Sequence, residues 1–465
     1  IQKLILNLFL MEMQKKPIIL KLKNVLFADK KLMRLLKNVN IVVNNGSITN
    51  GGNITVMKNG DITMTAKQIS NSAELKIAND NKIVNGNISL NAQDSVFNNG
   101  ICSISGSGNI EFTSTTDVVR NTGALTTAAG DVVLTAYDNT TNEGSVNAHG
   151  SVLFTAKGKI TNTGTITSGN VTEGQLLVEE NNTGITMLSA TGYIETSGGL
   201  QTTNMVNLIA AEGITINGST NIHAYNDVKL LGGGEIVVGS NATKANDAIN
   251  SVKGDIEMHG GPIKNYAKLT ASTAKVVLES NSEVINAGNI TAAHDVSIRG
   301  SGNVSNVGAI NVTDTGDVTI IMSNGYDSSK LLKNTGNITT KAGTVLLSAE
   351  MKIENSGAIT SNAAGVYGGD IKILSTKETI YNDEGANIKA VSGGINIIGY
   401  GKVTNKASLL AQGGDLYLVN GNMLPIETIL KKNFYSEDGN NKEEDSPMSN
   451  EQDFLREYSI EDYPR

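Results

Sequence analysis

A short strand signature recurs along most of this chain and constrains what it can fold into. It reads Gly130-Asp131-Val132-Val133-Leu134-Thr135-Ala136, then Gly150-Ser151-Val152-Leu153-Phe154-Thr155-Ala156. The same shape returns at Gly60-Asp61-Ile62, Gly86-Asn87-Ile88, Gly369-Asp370-Ile371 and Gly414-Asp415-Leu416. Each copy is a turn pair, an aliphatic, any residue, a larger apolar residue, any residue and a small one. The alternation has period two, so the apolar and small residues share one face of a β-strand.

The strand starts fall near residues 60, 86, 108, 130, 150, 184, 204, 226, 254, 274, 294, 316, 343, 369, 393 and 414. Most are about 20 to 27 residues apart, too close for a helix of ten or more residues between strands. That removes βαβ units and leucine-rich horseshoes. A second signature lies between them: Asn, any residue, Gly, any residue, aliphatic. Asn121-Thr122-Gly123-Ala124-Leu125, Asn142 to Val146, Asn162 to Ile166, Asn286 to Ile290, Asn334 to Ile338 and Asn355 to Ile359 are examples. Asn and Gly tolerate positive φ, so these are expected to be corners. A rung then holds two or three short strands, and the expected fold is all-β: a right-handed parallel β-helix, or solenoid, over 44–420. About 16 rungs spaced ~4.8 Å apart make a rod of roughly 75–80 Å. A propeller or sandwich would need tight hairpins and a period about twice as long.

Composition supports many short strands rather than one thick core: Gly is 50 of 465 residues, aromatics are 4% and Trp is absent. A single cysteine, Cys102, excludes an internal disulfide framework. The formal charge of −8 argues against a nucleic-acid surface. Charge is polarised along the chain. Residues 1–40 carry nine Lys/Arg against Glu12 and Asp29, while 435–465 carry ten Asp/Glu against Lys442, Arg456 and Arg465.

The ends depart from the repeat. Residues 1–43 are expected to be a basic, apolar cap or leader, with Leu20 and Leu22 on a strand. Asp29 is read as the N-cap of a helix bearing Leu32, Leu35 and Leu36. Residues 421–434 are expected to form a C-terminal capping helix, with Leu424, Ile426, Ile429, Leu430 and Phe434 as its apolar residues. Residues 435–465 read as an acidic disordered tail. Longer corners at 168–180, 240–251, 322–333 and 361–368 are where specificity would lie, since insertions in a repeat often map to one side.

No residue stands out as catalytic, metal-binding or cofactor-binding. His149 and His294 fall at corners several rungs apart, so they cannot share a metal; with His223 and His259 they read as surface residues. Asp61, Asp131, Asp317, Asp370 and Asp415 occupy the repeated turn position, so the turn explains them. Tyr137 and Tyr326 sit at equivalent corners about nine rungs apart, Tyr225 and Tyr367 precede strands, and no aromatic cluster forms at one height. Calcium roll repeats, a phosphate loop and a dinucleotide fingerprint are not present.

Together, the Asn-x-Gly-x-Ile corner and the Gly-Asp-Val-x-Leu-x-Ala strand resemble the repeats of filamentous-haemagglutinin-type exoproteins, large bacterial adhesins exported by two-partner secretion. The resemblance covers about residues 44–420 and carries no functional residue across. It implies a fragment of the structural shaft of a surface or secreted adhesin, not an enzyme, at the bacterial surface or outside the cell. The implied partners are a receptor or glycan on a host or neighbouring cell, and an outer-membrane transporter if the chain is exported. Nucleic acid and small-molecule cofactors are not expected. The alternative is a carbohydrate-active β-helix enzyme, a polysaccharide lyase or hydrolase, marked by acidic or basic groups and Tyr gathered in one groove.

Overall fold

The computed structural model describes residues 18–21, 25–27, 33–35, 38–79, 82–171, 179–180, 183–217, 220–240, 248–323, 327–362 and 369–420. In them most turns of chain make one long strand and two shorter ones. Val132–Ala136, Thr140–Asn142 and Val146–Ala148 form one coil, and Ser151–Ala156 begins the next. Strands pair in parallel with their equivalents one coil away, as Val132 with Val152, Thr140 with Ile160 and Val146 with Ile166. The result is an all-β, right-handed parallel β-helix with three parallel sheets. The long-strand sheet has 18 strands among the described residues. The other two are called here the asparagine face and the third face.

The wall follows from the period-two pattern. Val132, Leu134 and Ala136 point inward and are 0, 0 and 5% exposed, while Val133 and Thr135 between them are not buried. Coil after coil adds the same set, for example Val206, Leu208 and Ala210 or Val345, Leu347 and Ala349. Each fully buried Val, Leu or Ile contributes on the order of 1.5–3 kcal/mol of transfer free energy. The small third residue leaves room for the bend out of the strand. The sixteen expected strand starts each lie at or within two residues of an observed long strand, from Ile62–Ala66 to Leu416–Asn420.

The N-terminal expectation needs correcting. Met33–Leu35 is a strand paired in parallel with Ile54–Val56, not part of a helix begun at Asp29. Ile18–Lys21 and Val25–Phe27 likewise pair with Val39–Val42 and Ser47–Asn50, so the ladder begins before residue 44. Three leucines in five residues fit either period, and the backbone donors and acceptors of the coil at 39–56 favour the extended form. The segments expected as a capping helix, 421–434, and as an acidic tail, 435–465, lie outside the described residues.

The long corners do not share one side of the rod. Those after Ile166–Ser168 and Ile359–Ser361 lead from the third face to the long-strand face. The stretch after Ile236–Val238 leads from the asparagine face to the third face. The stretch after Val318–Met322 leads from the long-strand face to the asparagine face. Each lengthened corner leaves the neighbouring registers intact, because a coil meets only the coils beside it.

Candidate binding surface

The repeated chemistry of the chain is largely occupied in joining coils. At many of the turns before a long strand, a carboxylate or amide oxygen accepts a backbone N–H of the next coil. Asp61 Oδ1 takes Asn87 N–H at 2.8 Å, Asn109 takes Asp131 at 3.0 Å and Asp131 takes Ser151 at 2.7 Å. Asp227 takes Asp255, Asp317 takes Thr344 and Asp370 takes Gly394, at 2.9, 2.6 and 2.8 Å. The turn reading of these aspartates therefore has a defined bond behind it. Asp415, on the last described coil, instead accepts from the Tyr417 hydroxyl at 3.0 Å, which raises the Tyr417 pKa. Positive φ is used here: Gly86, Gly108 and Gly369 have φ of 152°, 149° and 109°.

The Asn-x-Gly corner works differently from the sequence expectation. Among the described residues the only non-glycine with positive φ is Asn45. The corner asparagines are inside the rod, 0–1% exposed from Asn50 to Asn382. Asn50 Nδ2 donates to Asn71 Oδ1, and the chain continues through Asn98, Asn121, Asn142 and Asn162 at 2.7–2.8 Å. The second Nδ2 hydrogen goes to the carbonyl two residues on, as from Asn121 to Gly123 at 2.9 Å. A second run links Asn265, Asn286, Asn306, Asn334 and Asn355, each step 2.8 Å. The glycine is steric: a Cβ on Gly144 would lie 1.8 Å from Gly123 O, and one on Gly164 would lie 1.8 Å from Gly144 O. The missed signal was parity. Val119 and Ile160 face inward, so Asn121 and Asn162 two residues on must face inward too.

His149 and His294 are exposed, as expected for corners. His223 is half-buried on the third face, and that burial lowers its pKa. His259 and Glu279 are register partners on the outside of the long-strand face, and Nδ1 lies 3.2 Å from Oε2. Glu279 in turn is paired in register with Arg299. The His259 hydrogen bond and charge, with Arg299, hold the Glu279 carboxyl below its ordinary value against the opposing effect of burial. Burial alone raises the Cys102 thiol, which is fully enclosed. Among the described residues no group of three or more His, Cys, Asp or Glu gathers as a metal site.

Outside the rod the coil geometry assembles groups far apart in sequence. Tyr137 and Tyr193 are 51 and 40% exposed at one corner, two coils apart. Lys157 of the intervening coil stands 4.8 Å from the Tyr137 ring centre, and Lys159 stands 4.6 Å from that of Tyr193. Lys159 also bonds Glu195 at 2.7 Å. A shallow depression of about 370 Å³ lies on the asparagine face, lined by Lys352, Glu354, Thr379, Ile380, Tyr381, Lys402 and Thr404. Register explains the meeting, since Glu354 pairs with Tyr381 and Tyr381 with Thr404. Its carboxylate is held by Lys352 at 2.5 Å, and Lys406 stands 5.5 Å from the Tyr381 ring centre. Charged side chains thus gather beside single tyrosines, and the rings of Tyr137 and Tyr193 stay two coils apart. The depression holds one carboxylate among its lining residues, whereas glycoside hydrolysis commonly uses two.

Compared with known proteins, the chain matches no family model, no curated protein and no solved structure. Among the described residues no helix is long and apolar enough to cross a membrane.

Proposed function

We propose that this chain is a structural shaft of a bacterial surface or secreted adhesin, holding surface groups away from a base for attachment to cells or matrix. A β-helix is consistent with a shaft, and the observation that carries the reading is the use of side chains. Aspartates of the outer turn and asparagines of the inner corner are spent on coil-to-coil bonds, while the surface groups are small, separate clusters. Stacked backbone bonds, buried aliphatics and amide runs suit a stiff rod.

Two measurements test the two halves of the proposal. Electron microscopy of the purified chain should show rods of roughly 80 Å, from 18 long strands spaced ~4.8 Å apart. Beads coated with the chain should adhere to cell or matrix surfaces, and Tyr137→Ala with Tyr193→Ala should reduce capture. Rods without adhesion would leave a shaft and sink the adhesin reading.

The depression beside Tyr381 favours one second reading, a carbohydrate-active enzyme. Incubation with a panel of polysaccharides would show it through new reducing ends or unsaturated products that vanish in Glu354→Gln. That outcome would replace the shaft as the primary role.

A further inference from the structure

The three outer faces carry charge unequally. On the long-strand face Lys229, Glu257, His259, Glu279 and Arg299 occupy neighbouring outward positions. On the asparagine face the central outward row includes Arg120, Glu195, Lys264, Lys333 and Glu354, the last two in register with each other. The third face differs. Its central outward row runs in register through Ser103, Thr126, Asn147, Thr167, Gln201 and His223. It continues through Asn250, Thr270, Thr291, Asn311, Thr339 and Thr360. No Lys, Arg, Asp or Glu stands in this stretch of twelve; Lys76 and Lys389 continue the row in register just beyond Ser103 and Thr360 and bracket it. Lys268 and the Lys341–Asp314 pair, at 3.7 Å, mark its edges. Burial lowers the His223 pKa, so that imidazole is also neutral near pH 7.

The row is self-complementary when read from both ends. Thr126 matches Thr339, Asn147 matches Asn311 and Thr167 matches Thr291, with the centre between His223 and Asn250. A two-fold axis along the strand direction would set two such faces together with rods antiparallel and place these matches opposite one another. Amides and hydroxyls can each donate and accept, so Asn147 and Asn311 of two copies can bond reciprocally. The area is sufficient: eleven steps of ~4.8 Å across a strand about 10 Å wide give on the order of 1,000 Å² over both partners, the lower bound for a specific interface. For a chain of net charge −8, this face is also where a second copy approaches without stripping water from ions.

We infer that the third face is a self-association surface, on which a second copy of this chain packs antiparallel through the row from Ser103 to Thr360. Sedimentation equilibrium of the full chain is expected to show a dimer that persists at high salt. Thr291→Lys with Asn311→Lys should shift it to monomer by at least tenfold in Kd, whereas Thr141→Lys with Thr161→Lys on the asparagine face should leave it dimeric. Near-isosteric cysteines guard against misfolding of the lysine variant. Thr167→Cys combined with Thr291→Cys should cross-link two copies on oxidation, and either single variant should do so far less. The buried Cys102 does not compete. Monomer at all concentrations would overturn the inference, as would a dimer lost only through the asparagine-face lysines. Efficient cross-linking in the single Thr291→Cys variant would overturn the antiparallel arrangement. A monomer that binds a neutral polysaccharide until Thr291→Lys is introduced would reassign the face to that polymer.

Discussion

The inner corner of the rod is built in two ways. From Asn50 to Asn162, and again from Asn265 to Asn355, a buried amide bonds to its equivalent in the next coil. Between these runs the same position holds Thr196, Ile216 and Val238, which are 0–1% exposed. The strands stay in register across the change, Thr196 opposite Ile216 and Ile216 opposite Val238. The backbone therefore does not demand an amide. What an amide demands is company on both sides, because a buried polar group left unmade costs about 1–3 kcal/mol. The boundaries show how this is managed. Asn162 donates to Thr196 Oγ1 at 3.1 Å, and Thr196 sits 3.3 Å from Gly198 O, a hydroxyl ending the first run. Asn265 Oδ1 opens the second by accepting Ala267 N–H at 3.2 Å. Asn50 Oδ1 has no such adapter. Neither has the break between Asn355 Nδ2 and Asn382 Oδ1, where the corner after Asn382 runs to Ile388 instead of the usual four residues.

Leu134→Asp sets the upper limit, since an uncompensated charge in the common core should cost more than about 4 kcal/mol. Limited proteolysis should then cut near 130–160 first; unchanged protection would mean Leu134 does not face inward. Asn121→Leu comes next. It strands the donor of Asn98 and the acceptor of Asn142, so a loss of about 2–4 kcal/mol is expected from chemical denaturation. Ile216→Asn should cost about 2–3 kcal/mol through the reverse error, an amide without neighbours. The triple change Thr196→Asn, Ile216→Asn and Val238→Asn joins the two runs. It should cost less than the sum of its parts by about 1–3 kcal/mol in the same measurement, and strict additivity would break the argument from company.

The outer turn gives smaller effects. Asp131→Ala removes the acceptor of Ser151 N–H in a solvated place, and about 1 kcal/mol is expected, read as faster hydrogen exchange at Ser151. Smallest is the Glu279 pair. Its carboxyl is held below the ordinary value, so its contribution is present above the unfolded carboxylate pKa and lost as pH falls through the depressed one. The group is half-exposed, and solvent screening limits this to a fraction of a kcal/mol. Melting temperature against pH for Glu279→Gln should show a slightly flatter acid limb.

The wall was legible in the sequence because Val132, Leu134 and Ala136 state a period that only a strand satisfies. The inner amides were misread because Asn and Gly are known for turning chains, and that habit hid the parity set by Val119 and Ile160. The helix expected from Asp29 failed for lack of a period: Leu32, Leu35 and Leu36 span too little chain to choose, and strand neighbours at 54–56 decided it. The depression was illegible for another reason. Lys352, Tyr381 and Lys402 are one coil apart in space and about 20 to 30 residues apart in sequence, and corner lengths blur that spacing.

The amide runs also give the rod a sense of direction. Every linked Nδ2 points toward the later coil and every Oδ1 toward the earlier one, so the side-chain dipoles add head to tail. A coil completed at the growing end therefore offers a donor, and the next asparagine is read by whether it brings an acceptor. Folding that follows synthesis from the N-terminus would be proofread rung by rung through Asn162. It would run without that check across Ile216 and Val238, then resume at Asn265.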